Sequence, residues 1–150
     1  MMISYNIKFL HYTNFIDWSG KEMSIKIKRD TGVMGGATPV ALKVNSQLVK
    51  KLKNNEEYSI SSDEGKVKVK ANQWFFGSEE KQIESGSRVN IKINSTALLL
   101  YVISLIIVFA GGFTSIIALS FIGLIGILIT VIYSTKRWFK LEVENIANQN

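Results

Sequence analysis

Residues 97–134 read ALLLYVISLIIVFAGGFTSIIALSFIGLIGILITVIYS, a run of 38 positions without Asp, Glu, Lys, Arg or His. An ordinary soluble segment of that length carries several charges, so this run predicts a part of the chain that lies in a membrane. The full chain has 150 residues, with 18 Lys and Arg against 12 Asp and Glu and a net charge of +6. Most of those charges precede the run, which predicts a soluble head of roughly 95 residues ahead of the membrane segment.

The charge-free run is too long for one membrane span. As a single helix it would extend about 57 Å at about 1.5 Å per residue, whereas the hydrocarbon core is about 30 Å thick. Gly111 and Gly112 offer a flexible break, and Thr114 and Ser115 can cap a new helix. We therefore expect an α-helical transmembrane hairpin over residues 95–134, with helices near 96–110 and 115–134 and a turn near 111–115.

The head alternates apolar and polar residues with a period of two, which is typical of strands with one buried face. The clearest alternating segments are 25–28, 40–45, 66–71 and 88–93, with shorter extended runs at 3–9, 47–52, 58–60 and 81–83. Turn-forming residues separate them, and no segment has a helical period. We expect a mainly β head, a small antiparallel β-sandwich or barrel over residues 1–94, that folds without the membrane part.

Three stretches of the head combine a strand end with a polar turn. They are Val44-Asn45-Ser46-Gln47, Leu52-Lys53-Asn54-Asn55-Glu56 and Gly65-Lys66-Val67-Lys68-Val69. With these stretches, residues 24–94 resemble the small β-sandwich modules of the PEGA type, although Asn45 and Asn55 stand where that family prefers Gly. The resemblance implies a non-catalytic binding or spacer domain.

Basic residues flank both outer ends of the membrane run, and its middle has none. The residues with this position, which are also candidates for contact with anionic lipid, are Arg88, Lys92, Lys136, Arg137 and Lys140. The positive-inside rule then predicts a multi-pass protein of the cell membrane with both termini in the cytoplasm. Residues 135–150 would form a short basic and aromatic tail, in which Trp138 and Phe139 anchor at the interface or contact a partner.

Small residues recur along one face of the second predicted helix. They are Ser120, Gly123, Gly126 and Thr130. Small residues let helices approach closely, so this face is expected to pack against the first helix, or alternatively against another membrane protein.

Trp74, Phe75 and Phe76 are consecutive aromatic residues of the head. Neighbours in an extended chain point to opposite sides, so at least one of the three rings must leave the core. Two interpretations stay open at this point: a packed corner that closes one end of the sandwich, or a surface that contacts a partner or the lipid.

Several kinds of chemistry are excluded by composition. The chain has no Cys and a single His, His11, so thiol catalysis, disulfides and two-His metal sites are absent. The Gly-rich loop of residues 31–38 leads into Pro39 and a strand and lacks the Lys of a phosphate-binding loop. The lysines are spread over several strands without a groove of stacking aromatics, so no nucleic-acid partner is expected. We expect no enzyme activity and no cofactor.

These patterns favour a non-enzymatic accessory protein that presents a small β module at the inner face of the membrane. Its expected partners are the lipid bilayer and either another membrane protein or a second copy. The alternative is a protein that confers immunity to a membrane-acting bacteriocin or toxin, by analogy with other short basic membrane proteins.

Overall fold

The computed structural model describes residues 24–61 and 65–145 of the chain. The predicted strand at 3–9 and His11 lie outside the described residues. In order along the chain the elements are β1 (Ser24–Arg29), α1 (Gly32–Gly35), β2 (Val40–Val44), β3 (Gln47–Leu52), β4 (Glu57–Ser61), β5 (Lys66–Gln73), β6 (Phe76–Gly77), β7 (Lys81–Glu84), β8 (Ser87–Ile93), α2 (Ser95–Phe113), α3 (Ile117–Arg137) and β9 (Phe139–Asn145).

The strands form two sheets that share one core. The first has the order β4-β1-β8-β9, and the second has the order β3-β2-β5-β6, with β7 also paired to β5. The alternating apolar side chains of both sheets point inward, as the period of two requires. The fully buried ones include Ile25, Ile27, Val40, Leu42, Val69, Ile83, Val89 and Ile91.

The predicted fold class, a β head followed by a helical hairpin, is confirmed. Within the head, one pairing differs from the expected antiparallel pattern, because β1 and β8 run parallel, with Ile27 opposite Val89. The residues between these two strands include the whole second sheet. Parallel neighbours need such a long crossover, and local sequence patterns do not reveal it.

The helical hairpin is longer than the charge-free run suggested. The helix α2 has 19 residues and continues through both Gly111 and Gly112, and α3 has 21 residues. At about 1.5 Å per residue they measure about 28 and 31 Å, which matches the hydrocarbon core. Both are long and apolar enough to cross a membrane. The turn between them lies at residues 114–116, where Ser115 has a positive φ of 58°.

The segment expected to be a tail is in fact part of the head. Residues 139–145 form β9, which pairs with β8 along its whole length, from Ile93 opposite Phe139 to Ser87 opposite Asn145. Phe139 and Leu141 are buried in the shared core. The helical hairpin is therefore inserted between two neighbouring antiparallel strands of one sheet.

Candidate functional site

The junction between the head and the helices is made without a linker. The amide of Asn94 donates to the carbonyl of Trp138 at 2.8 Å, directly after the last pair of β8 and β9. The side chain of Asn94 caps α2 by accepting from the amide of Thr96 at 3.0 Å, and its Nδ2 donates to the carbonyl of Arg137 at 2.9 Å. One asparagine thus joins the start of α2 to the end of α3 and holds both helices on the sheet.

A second contact ties the end of α3 to the other sheet through β6. The amide of Trp138 donates to the carbonyl of Gly77 at 2.9 Å. A side chain at Gly77 would put its Cβ 2.7 Å from the carbonyl oxygen of Thr135, so this close approach requires glycine. The next residue, Ser78, forms a parallel bridge with Phe139. Both sheets therefore fix the end of α3.

The hairpin tip between β5 and β6 consists of Trp74 and Phe75, and both rings are exposed, at 82% and 79%. Ser78 and Phe139 form a parallel bridge, so the residues that precede each of them in the chain extend in the same direction. Phe75 precedes Ser78, and α3 precedes Phe139, so both lie in that direction from the bridge. Gly77 already lies beside Thr135 of that helix. The aromatic tip therefore lies on the helix side of the head.

Trp74 also has an unusual backbone conformation. Its φ is 54°, in the left-handed region that two-residue hairpin turns usually fill with Asn or Gly. A bulky residue in this region is an outlier, and such outliers are concentrated where the surface has a role. Tryptophan does not favour this backbone conformation, so the reason for a tryptophan at this position must lie in its exposed ring.

The other aromatic residues of the predicted site belong to the packed interior. The rings of Phe76 and Trp138 are 5.0 Å apart and tilted by 31°, and both pack against the core. Phe139 is buried within it. The structure thus separates the five aromatic candidates into two exposed rings at the tip and three rings that secure the junction.

The five basic candidates also separate into two groups. Arg88 and Lys92 lie on the outer face of the first sheet, where the Nζ of Lys92 is 2.9 Å from Oε2 of Glu142. Hydrogen bonds from Lys92 and from Lys140 hold the pKa of Glu142 below its usual value. Lys136, Arg137 and Lys140 instead line a groove of about 600 Å³ at the junction.

Sequence reasoning missed the residues that complete this junction groove. They come from three segments that are distant in the chain, and they include Glu79, Glu80, Lys81, Ser95, Thr96 and Tyr133. Arg137 Nε donates to Oε1 of Glu79 at 2.8 Å, and its guanidinium lies 5.5 Å from the ring centre of Tyr133. No local pattern brings residues 79 and 137 together, because that contact depends on how β6 meets α3.

The small face of α3 packs against α2. A Cβ on Gly123 would lie 2.6 Å from the amide nitrogen of Val108, and one on Gly126 would lie 2.7 Å from Oγ of Ser104. Ser120 donates to the carbonyl of Val108 at 3.2 Å, and Thr130 is buried. Of the two expectations for this face, the geometry matches packing within the hairpin.

The Gly-rich loop encloses a cation. The guanidinium of Arg29 is fully buried and donates to Oγ1 of Thr31 at 2.9 Å, to the carbonyl of Leu52 at 2.7 Å and to the carbonyl of Gly35. Burial lowers the pKa of Arg29 from its usual value. One carbonyl oxygen of the loop, that of Gly35, thus points at this side chain, and a carbonyl oxygen repels anions. Within residues 24–61 and 65–145, no group of His, Cys, Asp or Glu could hold a metal ion.

Comparisons of the chain with protein-family models, with curated proteins and with solved structures found no match. The resemblance to PEGA-type modules is therefore supported only by the three sequence stretches quoted above.

Proposed function

We propose that this chain is a non-enzymatic, membrane-anchored accessory protein that holds a small β module against the inner face of the membrane. The observation that carries the proposal is the insertion of the helical hairpin between β8 and β9, with Asn94 bonded to both ends of the hairpin. A flexible tether would let a module search for partners, whereas this junction fixes its orientation.

The surface of the helices supports their placement in lipid. Their large apolar side chains are mostly exposed, among them Leu99, Ile106, Phe109, Phe121, Leu128 and Ile132. Such a continuous apolar surface is stable in a bilayer and would aggregate in water. Lys136 and Arg137 mark the head end of α3, and the turn at 114–116 has no charge, which favours a cytoplasmic head.

Single cysteines test this placement, since the natural chain has none. Lys51→Cys places a thiol on the exposed β3, and Thr114→Cys places one at the turn of the hairpin. A membrane-impermeant maleimide should label Thr114→Cys in intact cells and Lys51→Cys only after the cells are broken. The cysteine-free chain is the matched control. Labelling of Lys51→Cys in intact cells would contradict the proposal.

Loss of the gene tests the accessory role itself. If the chain is an accessory protein, its loss should leave growth unchanged in the presence of membrane-acting peptides that are encoded nearby. Its loss should instead impair the membrane system with which the protein works. Sensitivity of the deletion strain to such a peptide, restored by the natural chain, would instead support the immunity alternative.

We further propose that the tip of Trp74 and Phe75 dips into the membrane interface, where aromatic rings are stable. Replacing both with Ser should change the urea midpoint of the detergent-solubilised chain little, because both rings are largely exposed. Phe76→Ala is the contrasting variant and should cost about 2 kcal/mol, because its ring is partly buried against Trp138.

The position of the tip is measured by fluorescence. In a chain with Trp18 and Trp138 replaced by Phe, lipids brominated near the headgroup should quench Trp74 strongly. Lys43→Trp in a chain that lacks the other tryptophans is the control for a ring far from the interface. Equal quenching of the two single tryptophans would rule out insertion of the tip.

A further inference from the structure

We propose that the junction groove binds the phosphodiester headgroup of an anionic phospholipid, an inference that depends on the proposed membrane placement of the hairpin. The groove is lined by the link between β6 and β7, by the first turn of α2, by the last turn of α3 and by β9. Its volume of about 600 Å³ lies within the range of small-molecule sites.

The groove lies at the level of lipid headgroups. It contains Ser95 and Thr96, where α2 begins, and Lys136 and Arg137, where α3 ends. Since each helix matches the thickness of the hydrocarbon core, these residues lie at its boundary, and the headgroup region begins there. A phospholipid beside the hairpin can thus present its phosphate to the groove while its acyl chains stay along the helices.

The charges of the groove leave two cations for a ligand. The groove has four basic residues, Lys81, Lys136, Arg137 and Lys140, against the two acidic residues Glu79 and Glu80. Glu79 pairs with Arg137 at 2.8 Å, and Glu80 lies 3.4 Å from Lys68, which is not part of the groove lining. Lys140 pairs with Glu142 at 3.1 Å.

The two remaining cations are Lys81 and Lys136. The Nζ of Lys81 donates to the carbonyl of Leu141, at 3.3 Å, and Lys136 is exposed at the end of α3. In the described part of the chain, neither lysine has an ion-pair partner. An ammonium group with free donors favours a phosphate oxygen, and the hydroxyls of Ser95 and Thr96 line the same groove. The geometry therefore favours one anionic headgroup.

The test measures which lipid stays bound to the full chain. The chain is reconstituted in nanodiscs of equal parts phosphatidylcholine and phosphatidylglycerol, released in the gas phase, and examined by native mass spectrometry. We expect one phosphatidylglycerol retained in preference to phosphatidylcholine. Lys81→Gln with Lys136→Gln should reduce that preference by about fivefold for each lysine removed. Lys43→Gln with Lys70→Gln, which removes the same charge outside the groove, should leave it unchanged.

Two further measurements distinguish the possible outcomes. Lys136→Gln alone changes an exposed residue at the end of a helix, so the head should stay folded, and the preference for phosphatidylglycerol should still weaken. In nanodiscs of phosphatidylcholine only, inorganic phosphate should not remain bound, and its retention by the natural chain would identify a soluble-anion site and overturn the lipid proposal. Equal lipid retention by the natural chain and the double variant would also overturn it. Failure of the natural chain to enter nanodiscs would instead count against the membrane placement.

Discussion

Replacing Arg29 by Met is expected to lower the free energy of unfolding of the head by about 3–5 kcal/mol. The guanidinium is fully buried and serves three acceptors: Thr31, Gly35 and Leu52. Without it, the carbonyl groups of Gly35 and Leu52 lose a buried charged donor, and a buried group left unsatisfied costs about 1–3 kcal/mol. Met fills a similar volume, so the loss would reflect the hydrogen bonds and only a small change in packing.

The measurement is urea unfolding of the full chain in detergent micelles, followed by tryptophan fluorescence because Trp138 packs against the core. Arg88→Met is the matched control, since it removes the same side chain from the exposed face of β8 and should change stability by about 0.5 kcal/mol or less. Arg29→Lys keeps the charge but cannot reach three acceptors, so an intermediate loss is expected. A midpoint for Arg29→Met equal to that of Arg88→Met would show that the loop is held by other contacts.

The inward position of Arg29 could have been predicted from the sequence pattern. The alternation that places Ile25 and Ile27 inward also places residue 29 on the same face. A charged residue at an inward position requires several hydrogen-bond partners, and the adjacent Gly-rich loop can supply carbonyls because glycine allows close approach. The pattern thus locates the side chain, but it cannot identify which carbonyls come from β3, since that contact spans 23 positions.

The hairpin and most of the strands followed from physical patterns alone. A charge-free run of this length has few alternatives, and β2, β5 and β8 all lie where alternation predicted them. The parallel pairing of β1 with β8 and the contact of β6 with α3 depend on long-range topology. The groove is built from these long-range contacts, which explains why only three of its basic residues were recognised, and only as neighbours of the charge-free run.

The strand β9 had a local signal that its surroundings concealed. Phe139, Leu141 and Val143 alternate with Lys140, Glu142 and Glu144, which is the same period of two as in the head. After a membrane span, an aromatic residue beside basic ones is also typical of an interfacial anchor. In the structure this segment forms the strand that the alternation indicates, because it pairs with the edge of β8 and its apolar residues complete the core.

The pairing of β8 with β9 changes what is expected of a fragment of residues 1–94. Such a fragment lacks Phe139 and Leu141, which are exposed by only 3% and 6% in the full chain. Full burial of each side chain contributes about 1.5–3 kcal/mol. The loss of both, about 3–6 kcal/mol, is comparable with the lower part of the stability range of small domains, about 5–15 kcal/mol. The fragment also leaves β8 as an open edge that favours aggregation. We therefore expect it to show no cooperative unfolding.

A soluble head should form when the two strands are joined directly. The hydrogen bond from the amide of Asn94 to the carbonyl of Trp138 is the pair that closes a two-residue hairpin. Replacing residues 95–137 by Asn-Gly should therefore restore β9 without the helices and give a cooperative urea transition. The closed head with Phe139→Ala and Leu141→Ala, which has the same length, should behave like the 1–94 fragment. Equal urea midpoints for the closed head and the 1–94 fragment would mean that β9 adds nothing to the core. A cooperative transition in the closed head alone would show that the helical hairpin is an insertion in a β-hairpin, and that the head owes its fold to residues on both sides of the helices.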